Sequence, residues 1–164
     1  MPVGSVLMKV SRQEQYRALT RRLRDQGRGD LQRKLTRRIR TVGTPAVAAT
    51  RAAWKTVDVT PPEGAGRKST GLRARVAAAT RVSILQSGIS IRVEPKQVDT
   101  RYGRSLSYGL DGLGRWRHPV YGNQNVWTQQ YGQEVFFKTL ERFETAWQAG
   151  IEQAMEDTAR QIEG

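Results

Sequence analysis

From Phe136 to Ile162 the chain returns side chains to one face every three or four residues: Phe136, Leu140, Phe143, Trp147, Ile151, Met155 and Ile162, with Thr158 at the remaining step. Seven steps cover this span at about 3.7 residues each, close to the α-helical period and incompatible with the two-residue alternation of a strand. The spacing predicts a long amphipathic C-terminal helix, about 40 Å if straight. Gly150 weakens that helix without ending it. A stripe of this length must be covered, and 164 residues with 37 % apolar content supply one modest core, hence a single domain over 1–164.

The rest of the chain says what could cover the stripe. "VLMKV" places Val6, Met8 and Val10 on one side of a strand, and "SRQE" then forms a capping box of Ser11 and Glu14. The helix begun there carries Tyr16, Leu19 and Leu23 inward until Gly27 and Gly29 interrupt it. Asp30 restarts it, with Leu31, Leu35 and Ile39 inward and Arg33, Lys34, Arg37, Arg38 and Arg40 around the remaining circumference. Thr44 as cap and Pro45 in the first turn predict a third helix to about Val57, with Val47 and Trp54 facing in. "DVTPPEGAGRK" reads as a loop, and Ser69 or Thr70 as the cap of a short helix containing Leu72 and Val76.

The clearest β signal is "RVSILQSGISIRVEP". Val82 and Ile84, a turn around Ser87 and Gly88, then Ile89, Ile91 and Val93 make a hairpin. Residues 96–125 show no period and are rich in glycine, polar groups and aromatics, which predicts a long loop outside the compact body and leaves room for a short strand between it and the last helix. The expected fold is α+β: a small antiparallel sheet with a central hairpin, basic N-terminal helices, and the long C-terminal helix packed on the sheet.

Charge is the second constraint. The chain carries +13 overall, but residues 134–164 hold seven acids against three bases, so the surplus lies upstream. Such a chain suits polyanion contact through the basic stripe Arg33 to Arg40, or head-to-tail packing of basic against acidic surfaces between copies. The stripe offers charge and little that could read base edges.

No catalytic or metal site can be written. Cysteine is absent and His118 is the sole histidine, which excludes thiolate chemistry and the usual zinc ligand sets. His118 is flanked by Arg115, Trp116, Arg117 and Pro119, with Asp111 the nearest acid in sequence, so no nucleophile or orienting carboxylate adjoins it. "GAGRKST" lacks the glycine before lysine that a phosphate-cradling loop requires. The chain is expected to be non-enzymatic and without cofactor. Its apolar runs are too short to span a membrane, and its start lacks the pattern of a signal peptide, which points to a cytoplasm-like compartment.

"GRWRHPVYGNQNVW" gathers Arg115, Trp116, Arg117, His118, Tyr121 and Trp127. Aromatics among arginines occur in protein interface hot spots and in single-strand stacking platforms, and composition does not separate the two. Local packing, an intersubunit contact and nucleic-acid contact are all open readings of this loop.

The order "RKSTGLRARVAAATRV", "SILQSGISIRVEP", "GRWRHPVYGNQNVWTQQ" and "FFKTLERF" resembles the tail-component, or tail-completion, family of long-tailed bacteriophages, most strongly from Lys68 to about Phe143. Relatives often carry proline before the aromatics that open the last helix, where this chain has Gln133 and Glu134. The resemblance implies an α+β subunit of a ring at the head-proximal end of the tail, which completes the tail and joins it to the head. It implies tail-tube and head-connector partners, a place in the virion after assembly in the host cytoplasm, and no enzyme activity. The loop at 96–125 would then contact neighbouring subunits, and the basic stripe would face either acidic helices around the ring or DNA in its lumen. A stand-alone nucleic-acid-binding protein and a hydrolase centred on His118 are the rival classes.

Overall fold

The structure is a computed structural model and describes residues 13–58, 71–85, 88–99, 106, 109–120 and 123–163. The strand expected at Val6 to Val10, the Ser11 cap, the loop after Asp58, the Ser69 and Thr70 caps and Tyr121 lie outside these residues. The described elements are α1 (Gln13–Asp25), α2 (Gly29–Thr56), α3 (Leu72–Ala79), β1 (Thr80–Leu85), β2 (Gly88–Val93), α4 (Pro95–Val98), β3 (Leu113–Val120), β4 (Asn123–Gln133), α5 (Val135–Glu141) and α6 (Glu144–Glu163). The fold is α+β, mostly helical, with two separate antiparallel two-stranded sheets, β1-β2 and β3-β4.

The organising element is α2. The sequence predicts two helices here, divided at Thr44 and Pro45, but one helix of 28 residues runs through both. Thr44 is no cap: its hydroxyl donates back to the Arg40 carbonyl at 3.1 Å. Interior proline removes one backbone hydrogen bond and costs about 3 kcal/mol. Burial on both sides of it outweighs that cost, since Leu35, Ile39, Ala46, Val47 and Trp54 are all in the core.

Close approach to α6 also depends on this continuity. A Cβ at Gly43 would stand 2.3 Å from the Trp147 ring and 2.5 Å from Val82, and one at Gly150 would stand 2.5 Å from Val42. Two glycines on facing helices thus let the backbones cross closely, with Trp147 and Val82 converging on the Gly43 notch. Gly150, which reads in sequence only as a helix weakener, is a packing residue.

The C-terminal stripe keeps its face but not its single helix. Phe136, Leu140, Trp147, Ile151, Met155 and Thr158 are buried, and Phe143 and Ile162 are partly buried. The chain breaks between Glu141 and Glu144, where the Phe143 amide donates to the Leu140 carbonyl, three residues back, at 2.9 Å. A straight helix would rotate this stripe by about 80° between Phe136 and Ile162, because 3.7 exceeds 3.6 residues per turn. Two shorter segments can each aim at α2, and both pack there. The C-terminal helix therefore rests mainly on α2 and α1 and reaches the first hairpin at Val82 through Trp147.

The β1-β2 hairpin forms as its alternation predicts, with Val82 opposite Ile91 and Ile84 opposite Ile89. Ile89 and Ile91 are buried. Gly88 belongs to β2, while Ser87 lies outside the described residues. Helix α3 starts after Gly71, whose φ of +75° suits glycine.

The expected loop at 96–125 is the largest correction. It contains α4, a helical piece ending at Asp111, and the whole of β3, which pairs with β4 from Leu113↔Gln133 through Pro119↔Trp127. Alternation is present but inverted in polarity, which is why the segment reads as aperiodic.

Candidate functional site: the outward face of the second hairpin

Strand alternation sends Arg115 and Arg117 of β3, and Asn125, Trp127, Gln129 and Tyr131 of β4, to one face, and all six are exposed. Trp127 is 48 % and Tyr131 63 % exposed, and Phe137 at the start of α5 is 54 % exposed. The opposite face carries Trp116, Thr128 and Gln130, of which Thr128 and Gln130 are buried. The inward face thus mixes the Trp116 ring with two buried polar side chains and a Val126 that is 39 % exposed, while Trp127 and Tyr131 face water. A hairpin built for stability alone would do the reverse.

Local contacts stiffen this outward face. The Arg117 guanidinium lies 5.5 Å from the centre of the Trp127 ring, a cation-π pair across the strands. Arg115 donates to the Gln129 side-chain oxygen from both Nε, at 2.6 Å, and Nη2. Four of the six residues are therefore held in two cross-strand pairs, one of cation and ring and one of cation and amide.

The base of the hairpin is tied to the body. Gln130 Nε2 donates to the Asp58 carbonyl at 3.2 Å, just past the end of α2. Trp116 lies over Gly109, where a Cβ would come within 2.3 Å of its ring. Of the aromatics singled out in sequence, Trp116 thus anchors the hairpin and Trp127 is displayed. His118 stands opposite Thr128 in the backbone register.

Asp111 governs the junction between β4 and α5. Its Oδ1 accepts from the Phe136 amide at 2.5 Å, satisfying one of the free donors at the start of α5, while its Oδ2 is buried with no partner among the described residues. Burial pushes this carboxyl up to about 6, against the lowering effect of the Phe136 amide, and Glu134 adds repulsion. Glu134 itself takes a left-handed φ of 43° directly before α5. The entry to α5 is thus a sharp bend at Glu134 capped from a distance by the Asp111 carboxylate.

The basic stripe is distributed less uniformly than its sequence suggests. Arg33, Lys34, Arg37, Arg38 and Arg40 are all exposed on α2. Arg38 bonds Asp157 of α6 at 3.0 Å, and Arg22 of α1 approaches Glu163 at 3.9 Å, so part of the charge complementarity expected between copies is satisfied within one chain. Hydrogen bonds from Gln153 and Arg160 hold the Asp157 carboxyl below its ordinary range. Arg33, Lys34, Arg37 and Arg40 make no ion pair among the described residues.

Sequence reading missed Gln129, Tyr131 and Phe137 as displayed residues. The signal was the alternation in "NVWTQQYGQ", in which every second residue from Asn125 points outward. Among the described residues no three His, Cys, Asp or Glu side chains converge as a metal site would, and no helix is long and apolar enough to cross a membrane. Comparison with protein-family models, curated proteins and solved structures finds no match for this chain.

Proposed function

We propose that this chain is a structural subunit of the head-tail junction of a long-tailed bacteriophage, assembling as a ring at the top of the tail and joining tail to head connector. The observation that carries the reading is the outward face of the β3-β4 hairpin, where Trp127 and Tyr131 are exposed among Arg115 and Arg117, the two arginines paired across the strands with Gln129 and Trp127. Aromatic and arginine side chains concentrated on a stiff projection are what interface hot spots are made of. A surface hairpin contacting a different patch on the next copy makes a heterologous interface, and such interfaces close into rings when the rotation permits.

The order of sequence blocks that resembles tail-completion proteins supplies the phage context of the proposal. The ring reading also explains why the hairpin buries threonine and glutamine while displaying rings: the rings are reserved for a partner. The test is electron microscopy of assembled particles together with native mass measurement of the purified full chain. Ring-shaped oligomers, and density for this chain at the head-tail junction, are expected. Particles whose neck contains no copy of the chain would overturn the reading.

A further inference from the structure

A groove of about 360 Å³ runs between α1 and α2, away from the β3-β4 hairpin. Arg17, Arg21 and Arg24 of α1 line it, facing Gln32 and Thr36 of α2, with Tyr16 and Ile84 at its floor. Among the described residues no carboxylate lines it. On α2, Arg33, Arg37 and Arg40 recur at helical spacing on the exposed side next to Gln32 and Thr36, so the groove opens onto a second basic row.

Self-assembly does not neutralise the surplus on this chain. Each copy carries +13, and a ring of identical copies cancels none of a surplus that every member shares. The acidic helix α6 is also partly spent at home, with Asp157 on Arg38 and Arg160 and Glu163 near Arg22. Residues 13–58 hold twelve Lys and Arg against four Asp and Glu. Like charges gathered along one groove repel, and a polyanion that is not another copy relieves that repulsion.

We infer that the α1-α2 groove, through Arg21 and Arg24 with Arg33, Arg37 and Arg40 on its shoulder, binds the phosphate backbone of duplex DNA without reading sequence. Guanidinium forks suit phosphate oxygens, and the threonine and glutamine side chains add neutral hydrogen bonds. Among the described residues the groove offers no ring for unpaired bases to stack upon, since Tyr16 is 5 % exposed and the displayed aromatics belong to the other hairpin and α5. Duplex is therefore the favoured form over single strands. For the shoulder arginines, which the ring reading leaves between acidic helices and lumen DNA, the inference decides for duplex DNA and adds the α1 side of the groove to them, and it is tested separately from that reading.

The experiment uses the full chain, a labelled random-sequence duplex, the matching single strand and polyglutamate, with oligomeric size measured alongside. Parent affinity for duplex should fall by about a hundredfold or more between about 50 and 200 mM salt if several phosphates are neutralised. Arg21→Gln with Arg24→Gln should lose at least about tenfold at the lower salt and reduce the salt slope by about 0.9 for each contact removed. Arg21→Lys with Arg24→Lys should bind nearly as the parent does, which separates charge from any effect on folding. Lys96→Gln with Arg142→Gln removes two charges from other elements and should leave most of the affinity. Duplex binding by the Arg21→Gln, Arg24→Gln variant equal to the parent's overturns the inference, as does a parent that prefers single strand. Tighter binding of polyglutamate than of duplex also overturns it and assigns the groove to an acidic protein segment. Loss of duplex binding in a variant that assembles normally supports it, whatever the ring test returns.

Discussion

The α2-centred body and the β3-β4 hairpin are built with opposite polarity. In the body, Leu35, Ile39, Trp54, Phe136 and Trp147 are buried and the arginines stand outside. In the hairpin, Thr128 and Gln130 are buried while Trp127 and Tyr131 stand outside among arginines. The first arrangement is what a chain needs to fold alone. The second leaves apolar surface exposed and is favourable only when something covers it. One region thus carries the fold, and the other is where the proposed association would be made.

The contrast is sharpest in what alanine does at two tryptophans. Trp147→Ala removes a ring seated in the Gly43 notch at 2 % exposure, and should destabilise the monomer by about 3–5 kcal/mol in urea unfolding. Trp127→Ala should change monomer stability by no more than about 0.5 kcal/mol yet weaken assembly by at least about 2 kcal/mol, or about thirtyfold. A large folding penalty at Trp127 would erase the distinction between the two regions.

Asp111 sits where the regions join, and its pH dependence reports on that seam. The folded-state value of about 6 lies above the ordinary aspartate value of about 3.9, so between those two pH values the folded chain holds a proton that the unfolded chain has released. Stability from this group is therefore fully present below about pH 4, falls as pH rises toward about 6, and is level beyond it. The fall is up to about 3 kcal/mol. Asp111→Asn keeps an acceptor for the Phe136 amide without a charge, and should flatten the decline in a pH series of unfolding curves. Asp111→Ala loses the acceptor and should cost about 1–2 kcal/mol at low pH.

The smallest effect is expected on the exposed charge bridges. Arg38→Gln breaks the link to Asp157, yet both partners are substantially solvated, so the unfolding midpoint should be hard to distinguish from the parent's. A large shift there would mean that charge, and not the apolar contacts around Gly43 and Gly150, holds α6 on α2.

Most of the body was legible because burial imposes periods. The stripes Leu31-Leu35-Ile39 and Trp147-Ile151-Met155, and the alternation of Ile89 and Ile91, name their own elements. The Pro45 error arose because a cap signal and an interior proline look alike locally, and only the partners packed on Ala46 and Val47 decide between them. Similarly, the break near Phe143 is set by what α5 and α6 must each reach on α2, which no single-helix period encodes. The second hairpin was hidden for a different reason. A strand is recognised by apolar residues on its buried face, and here that face is Trp116, Thr128 and Gln130. Residues Arg115, Arg117 and Trp127 were found by chemistry without their geometry, whereas the α1-α2 groove depends on two helices meeting and had no signature in either alone.

The central claim is that the outward hairpin face is covered in the working assembly. Since the chain has no cysteine, Gln129→Cys would place a single thiol in the middle of that face, beside Trp127 and Tyr131 in the strand. Its rate of modification by a maleimide, compared between dilute monomer and assembled particles, measures coverage directly. Fast labelling of the monomer and at least about tenfold protection in the assembly is the predicted result. Equal labelling in both states would show that the face stays open to solvent, and would contradict the account.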